Sequence, residues 1–174
     1  MNPNIFREYD IRGIVKDDFP EDLVFNLGKS YGSILINNNQ KNISISGDIR
    51  HSTQRLKNNL IEGLLSTGIN VYDMGVLPTP LNYFSLHHTD IKNSIQVTGS
   101  HNPKEYNGFK ISFNKRPFFG QDIQKLKNVI ENSSYTKIST KGNYTKIDVL
   151  DDYVNMIKSN ISIDSDINCV MDCG

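Results

Sequence analysis

Between residues 43 and 98 the spacing of apolar residues changes repeatedly from every second position to every third or fourth and back, and few folds accommodate that pattern. Ile43 to Ser46 alternates as a short strand. Ser52 or Thr53 then caps a helix whose Leu56, Leu60, Ile61, Leu64 and Leu65 form one stripe, and Gly68 stops it. Val71 to Met74 is the next strand. Pro78 and Pro80 announce a helix carrying Leu81, Phe84 and Leu86, and Ser94 to Thr98 returns as a strand. Strand, helix and strand in alternation require an α/β fold with a largely parallel sheet, because each helix must cross back over the sheet before the next strand can pair.

The flanking segments fit the same plan. Behind Pro20, Leu23, Val24, Leu27, Tyr31, Ile34 and Leu35 lie at helical spacing. Residues 99–108 are rich in Gly, Asn, Pro and Ser and form a loop, after which Phe109 to Phe113 alternates; strand, loop and strand make a hairpin-like edge. Ile123, Leu126, Val129 and Ile130 mark a helix, and residues 132–143 a polar surface loop with a short strand after it. Tyr153, Met156 and Ile157 share one side of a final helix. Residues 167–174, INCVMDCG, read as a buried strand heading into a Gly turn, with no helix to follow it, as at the start of a second domain.

At 174 residues the chain has room for one ordinary domain. Nineteen Lys and Arg balance nineteen Asp and Glu, so no global field draws it to nucleic acid or an anionic membrane, and any anion site must be local. The N-terminus lacks the apolar core of a signal peptide and no window matches a membrane span. The expectation is a soluble cytoplasmic protein in which Cys169 and Cys173 are buried free thiols, their spacing being wrong for a zinc knuckle.

The segment from Thr98 to Lys110, TGSHNPKEYNGFK, concentrates the chemistry. Gly99 permits a sharp turn, Asn102 and Pro103 stiffen its exit, and Ser100 is thereby carried at the end of a strand, where α/β sheets present reactive groups. It is not a hydrolase elbow, since Asn102 stands where G-x-S-x-G needs glycine, and G-x-x-x-x-G-K-[ST] is nowhere in the chain. From the residues alone such a loop is a turn more often than a catalytic site, and both readings stay open. Lys110 is equally open: it shares a strand face with Ser112 and Asn114 and fits a solvated lysine.

TGSHNPKEYNGFK resembles the active-serine motif of the α-D-phosphohexomutases, and FREYDIRG at residues 6–13 resembles their N-terminal phosphate-site motif. SGDIRHST at 46–53 is similar to the family's G-x-D-x-R-x-S turn. FREYDIRG combined with TGSHNP is closest to the phosphomannomutase/phosphoglucomutase branch, since phosphoglucosamine mutases open differently and dedicated phosphoglucomutases usually carry Ala in place of Gly99.

The resemblance implies a three-layer α/β/α domain I with a mixed, mostly parallel sheet over residues 1–160, and a linker with the first strand of a truncated second domain over 161–174. It implies phosphoryl transfer between C1 and C6 of mannose or glucose phosphates through phosphorylated Ser100 and a bisphosphorylated sugar. Mg²⁺ would bind the serine phosphate, its Asp ligands lying in the second domain, and a hexose 1,6-bisphosphate would serve as activator. Carried over position by position, Lys110 is the acid/base at the sugar hydroxyl, His101 lies against the transferred phosphate, and Tyr9 and Arg12 line the cleft near the phosphates. Arg50 contacts either the serine loop or a substrate phosphate, or simply pairs with Asp48. The partners implied are a hexose phosphate and the remaining domains of the same polypeptide, and the chain alone is expected to be inactive. The alternative is a non-catalytic phosphosugar-binding or interaction module that retains domain I only. His51, His87 and His88 read as turn, helix-end and surface residues.

Overall fold

Pro3–Ile5 makes a single 3₁₀ turn, and Phe6 then bridges Ile11, so that the chain doubles back through Arg7 to Asp10, closed by a 3.0 Å bond from Arg7 N–H to the Asp10 carbonyl. This is the entry into β1 (Ile11–Ile14) in a computed structural model of the chain that describes residues 1–172. There follow α1 (Val15–Asp18), α2 (Glu21–Asn37), β2 (Asn42–Gly47), α3 (Thr53–Leu65), β3 (Asn70–Val76), α4 (Thr79–His88) and β4 (Ser94–Val97). The chain continues through β5 (Tyr106–Phe113), β6 (Arg116–Pro117), α5 (Gln121–Glu131), β7 (Tyr144–Lys146) and α6 (Leu150–Asn160).

The strands form one sheet in the order β1-β5-β4-β2-β3-β7, with β6 paired to the far end of β5. β4, β2, β3 and β7 are mutually parallel, and β5 is antiparallel to β4, β1 and β6. Only β5 therefore runs against the rest, and the sheet is mixed and mostly parallel as expected. The β4–β5 hairpin is not at the edge: β1 covers its outer side, and a Cβ on Gly108 would stand 2.2 Å from the Ile11 carbonyl oxygen.

From β2 the chain steps outward to β3 and then back across β2 to β4. Both crossovers are right-handed by the general rule, so this reversal puts α3 and α4 on opposite faces. The α3 face is the apolar core, where Leu56, Leu60 and Leu64 meet Leu27, Tyr31 and Leu35 of α2, Ile43 and Ile45 of β2, and Leu126 of α5. The α4 face is different. Ser44 and Ser46 alternate with those isoleucines and meet polar residues: Ser44 Oγ lies 2.9 Å from Ser85 Oγ, Asn82 Nδ2 donates to Ser46 Oγ at 2.8 Å, and Ser94 Oγ donates to Asn82 Oδ1 at 2.7 Å. All are buried and paired, as burial of polar groups demands. Apolar contacts resume at the rim, where Met74, Leu81 and Val149 pack with Phe84 and Tyr153.

Two local readings change. Neither Ser52 nor Thr53 caps α3 with its side chain; Ser52 Oγ accepts from Asn107 at 2.9 Å and Thr53 Oγ1 donates to Asp48 at 2.6 Å, so both hydroxyls serve the neighbouring loop. Residues 167–172 form no strand, and Val170 is 97 % exposed. A strand is buried only between neighbours, and among the described residues no strand of the sheet pairs with this segment. Cys169 is accordingly exposed, not a buried thiol; Cys173 and Gly174 lie outside the described residues. Among those residues no helix is long and apolar enough to cross a membrane.

Candidate active site

Ser100 sits on the loop between β4 and β5, exposed, with φ +56°. A serine in the left-handed region costs about 1–3 kcal/mol and persists only where neighbours enforce it. The turn residue is thus Ser100 itself. Gly99 does not take a positive φ; a Cβ there would lie 2.5 Å from Arg50 Cζ, so any larger residue would have to displace the guanidinium.

The enforcing contacts come from the turn after β2. Arg50 Nη2 donates to the carbonyls of Ser100 (2.9 Å) and Asn102 (2.6 Å), Nη1 to those of Pro103 (2.6 Å) and Tyr106 (3.1 Å), and Nε to Asp48 Oδ2 (3.1 Å). A guanidinium has five N–H groups, so all of them are committed within the protein and none is left for a substrate phosphate. Of the readings open for Arg50, the geometry realises the serine-loop contact and the Asp48 pair together.

Asp48 is the second hub. Oδ1 accepts from Thr53 Oγ1 and the Arg50 amide, and Oδ2 from Arg50 Nε, Thr98 Oγ1 (2.8 Å) and the Gly99 amide (3.2 Å). Burial alone would push this carboxyl up, but hydrogen bonds from Thr53, Thr98 and the amides of Arg50 and Gly99 outweigh it and hold Asp48 below the usual carboxylate range. Thr98 Oγ1 in turn accepts the Ser100 N–H at 2.8 Å. The loop is closed by Asn102, whose amide and Nδ2 both donate to the Gly99 carbonyl. On this frame the Ser100 hydroxyl faces out, with His101 Nδ1 at 3.2 Å.

The other sequence-predicted residues gather one strand away. Lys110 is in register with Gln96 and Arg12 with Gly108, which puts both on the α4 side of the sheet. They share a carboxylate: buried Asp10 accepts from Arg12 Nη2 in a short contact and lies 3.4 Å from Lys110 Nζ. Two cations against one carboxylate leave this patch positive. Tyr9, at the tip of the turn before β1, is 74 % exposed and its ring stacks on Phe119 at 6.1 Å. Among the described residues no hydrogen bond or ion pair joins the Ser100 and His101 group to the Arg12, Asp10 and Lys110 group. Ser100 is exposed and Lys110 half-buried. His88 pairs with Asp152 of α6 at 3.1 Å and stacks on Phe84, a surface pair as expected.

Sequence reasoning missed Asp10, Thr98 and Asn107, and saw Asp48 only as a partner for Arg50. The signal was present, since each lies inside one of the three quoted motifs.

Comparison with known proteins agrees with the motifs. Residues 3–137 match the family described as "Phosphoglucomutase/phosphomannomutase, alpha/beta/alpha domain I". Over 98 % of its length the chain is 38 % identical to a phosphomannomutase/phosphoglucomutase of Pseudomonas syringae pv. tomato, and 30 % identical to a phosphoglucomutase of Neisseria meningitidis serogroup B. It spans 36 % and 37 % of those relatives. A crystal structure of a phosphoglucomutase/phosphomannomutase family protein from Burkholderia thailandensis superposes on 92 % of the chain, and on 36 % of its own, with a TM-score of 0.87 at 32 % identity. With its serine loop, its three-layer fold and a family match over most of its length, this chain belongs to the phosphoglucomutase/phosphomannomutase family, whose alpha/beta/alpha domain I it represents.

Proposed function

We propose that this chain is the phosphoryl-carrying part of a phosphohexomutase, in which Ser100 passes a phosphoryl group between C1 and C6 of a mannose or glucose phosphate. One observation carries the reading: an exposed serine hydroxyl stands on a left-handed residue whose whole surrounding loop is fixed by Arg50 and Asp48. Such fixation is costly for a plain turn and useful for a group that must meet a phosphorus atom in line.

In the transfer step a sugar hydroxyl attacks the phosphorus of phosphorylated Ser100, the bond to Oγ breaks, the hydroxyl proton leaves to a base and Oγ recovers a proton. His101 Nδ1, already hydrogen-bonded to Oγ, is assigned to the serine side of that exchange. Lys110, half-buried on the positive patch, is assigned to the sugar hydroxyl. Arg12 is assigned to a phosphate, for which its planar fork is suited, and Tyr9 to the cleft wall.

The residues present do not make a magnesium site by themselves. Among the described residues no cluster of three or more His, Cys, Asp or Glu is placed to hold an ion. Asp48 is consumed by the loop and Asp10 by its two cations, and the Ser100 oxygen remains as a hard donor at the centre. Mg²⁺ ligands, the reading of the hexose, and turnover itself are therefore assigned to further segments of a longer polypeptide, which residues 161–174 would enter as linker and first strand. The test is intact-mass measurement of the full-length protein after incubation with a hexose 1,6-bisphosphate. One added phosphate, lost in Ser100→Ala, is expected; an unphosphorylated protein that still binds hexose phosphate would favour the binding-module reading.

A further inference from the structure

The mechanism leaves one cluster without a task. Arg50 and Asp48 make hydrogen bonds throughout the serine loop, yet neither offers a free group to a substrate. Each guanidinium donor ends on the protein, four of them on loop carbonyls. Each carboxylate oxygen is likewise filled. Their charges cancel, so the pair adds no net attraction for an anion. What it supplies is geometry. The four carbonyl oxygens, of Ser100, Asn102, Pro103 and Tyr106, are each held by an Arg50 N–H, which fixes where they stand and neutralises part of their dipole. A phosphoserine carries about −1.5 to −2 charges, and the partial negative charge of a carbonyl beside it would oppose its formation.

We propose that Arg50 and Asp48 are positioning residues for transfer through Ser100. They hold the loop in the left-handed conformation and keep its carbonyl dipoles bound to Arg50, before and after each transfer. This rests on the assignment of Ser100 as phosphoryl carrier. Thr98 is the link that transmits Asp48's position to the serine, since its hydroxyl donates to Asp48 and accepts the Ser100 N–H. Lysine cannot replace Arg50, because a single ammonium with three donors cannot make the five bonds that Nε, Nη1 and Nη2 make.

The experiment compares the full-length enzyme with its Arg50→Lys and Thr98→Val variants, measuring thermal midpoint, phosphate on Ser100 by intact mass, kcat, and KM for glucose 1-phosphate. Displacement of a reacting group by about 1 Å costs on the order of 100-fold in rate. Arg50→Lys is therefore expected to lower kcat by about that factor, with KM changed less than about twofold, as for an interaction made only in the transition state. Thr98→Val is expected to lower kcat in the same direction with KM unchanged, and decides the matter if Arg50→Lys fails to fold. Wild-type kcat in a folded variant, or a raised KM with kcat intact, would overturn the inference; the second result would make Arg50 a phosphate ligand. Absence of phosphate from Ser100 in the unaltered enzyme would instead overturn the serine assignment, and this inference with it.

Discussion

Replacing Lys57 by Met should be among the most damaging single changes outside the apolar core. Lys57 lies on α3 with its side chain 3 % exposed, and Nζ donates to Asp73 Oδ1 at 2.8 Å and to the Gly75 carbonyl at 3.4 Å. Methionine fills most of the volume and keeps the helix, but leaves the Asp73 carboxylate buried without its cation. Breaking one side of a buried pair costs about 3–5 kcal/mol. The lower end applies, because Asp73 keeps bonds from the Gly75 amide and the Tyr144 hydroxyl, both at 2.8 Å. At about 2–4 °C per kcal/mol for a domain of this size, a loss of ~3 kcal/mol lowers the midpoint by roughly 6–12 °C. Urea and thermal unfolding of the 174-residue chain, followed by circular dichroism, measure both quantities. The double variant Lys57→Met/Asp73→Leu removes the stranded charge and should recover most of the loss. A single variant within about 1 kcal/mol of the parent, or a double variant no more stable than the single, would refute this account of the pair.

Three further outcomes follow from the same contacts. Asp48 and Asp73 are both held below the usual carboxylate range: burial raises each, but hydrogen bonds, from Thr53 and Thr98 in one case and from Lys57 in the other, outweigh it. Their contribution is present above the unfolded carboxylate value near pH ~3.9 and is lost as pH falls through the depressed folded values; urea unfolding at pH 5 and pH 3 should show a smaller drop in Asp48→Asn than in the parent. Tyr144 is pushed up to about 12 by burial, by its hydrogen bond to Asp73 and by that carboxylate's charge. Its stabilising effect is full below pH ~10 and disappears as pH rises through the folded value; Tyr31, Tyr83 and Tyr135 are also raised by burial, and in an ultraviolet titration one tyrosine of this late group should move earlier in Asp73→Asn. In the full-length enzyme Lys110→Met should lower kcat far more than Lys104→Met, since Lys110 is half-buried beside Asp10 whereas Lys104 is exposed on the loop; equal losses would mean that local charge alone matters.

The α/β architecture was legible because β2, α3, β3, α4 and β4 each carry a clean apolar period, and the sheet accepts each in turn. The polar layer under α4 was not. Ser44, Ser46, Asn82, Ser85 and Ser94 are individually ordinary, and only their convergence from three elements shows that they satisfy one another. The same limit hid Asp10 and Asp48, whose role depends on neighbours distant in the chain: Lys110 lies 100 positions from Asp10, and the loop carbonyls 50 to 56 from Arg50. The Ser52/Thr53 cap failed for that reason too, since Asp48 and Asn107 compete for those hydroxyls. Residues 167–172 differ in the opposite sense: an apolar run specifies a buried strand only where neighbours exist to bury it, and among the described residues no strand pairs with this one.

The central claim is that the phosphoryl group transferred is the one on Ser100, and a single-turnover experiment addresses it without intermediaries. Full-length enzyme carrying ³²P on Ser100 is freed of excess bisphosphate, mixed with unlabelled glucose 1-phosphate and quenched at intervals. The account predicts that label leaves the Ser100 peptide and appears in hexose bisphosphate at a rate no slower than kcat. Label that stays on Ser100 while glucose 6-phosphate accumulates would contradict it.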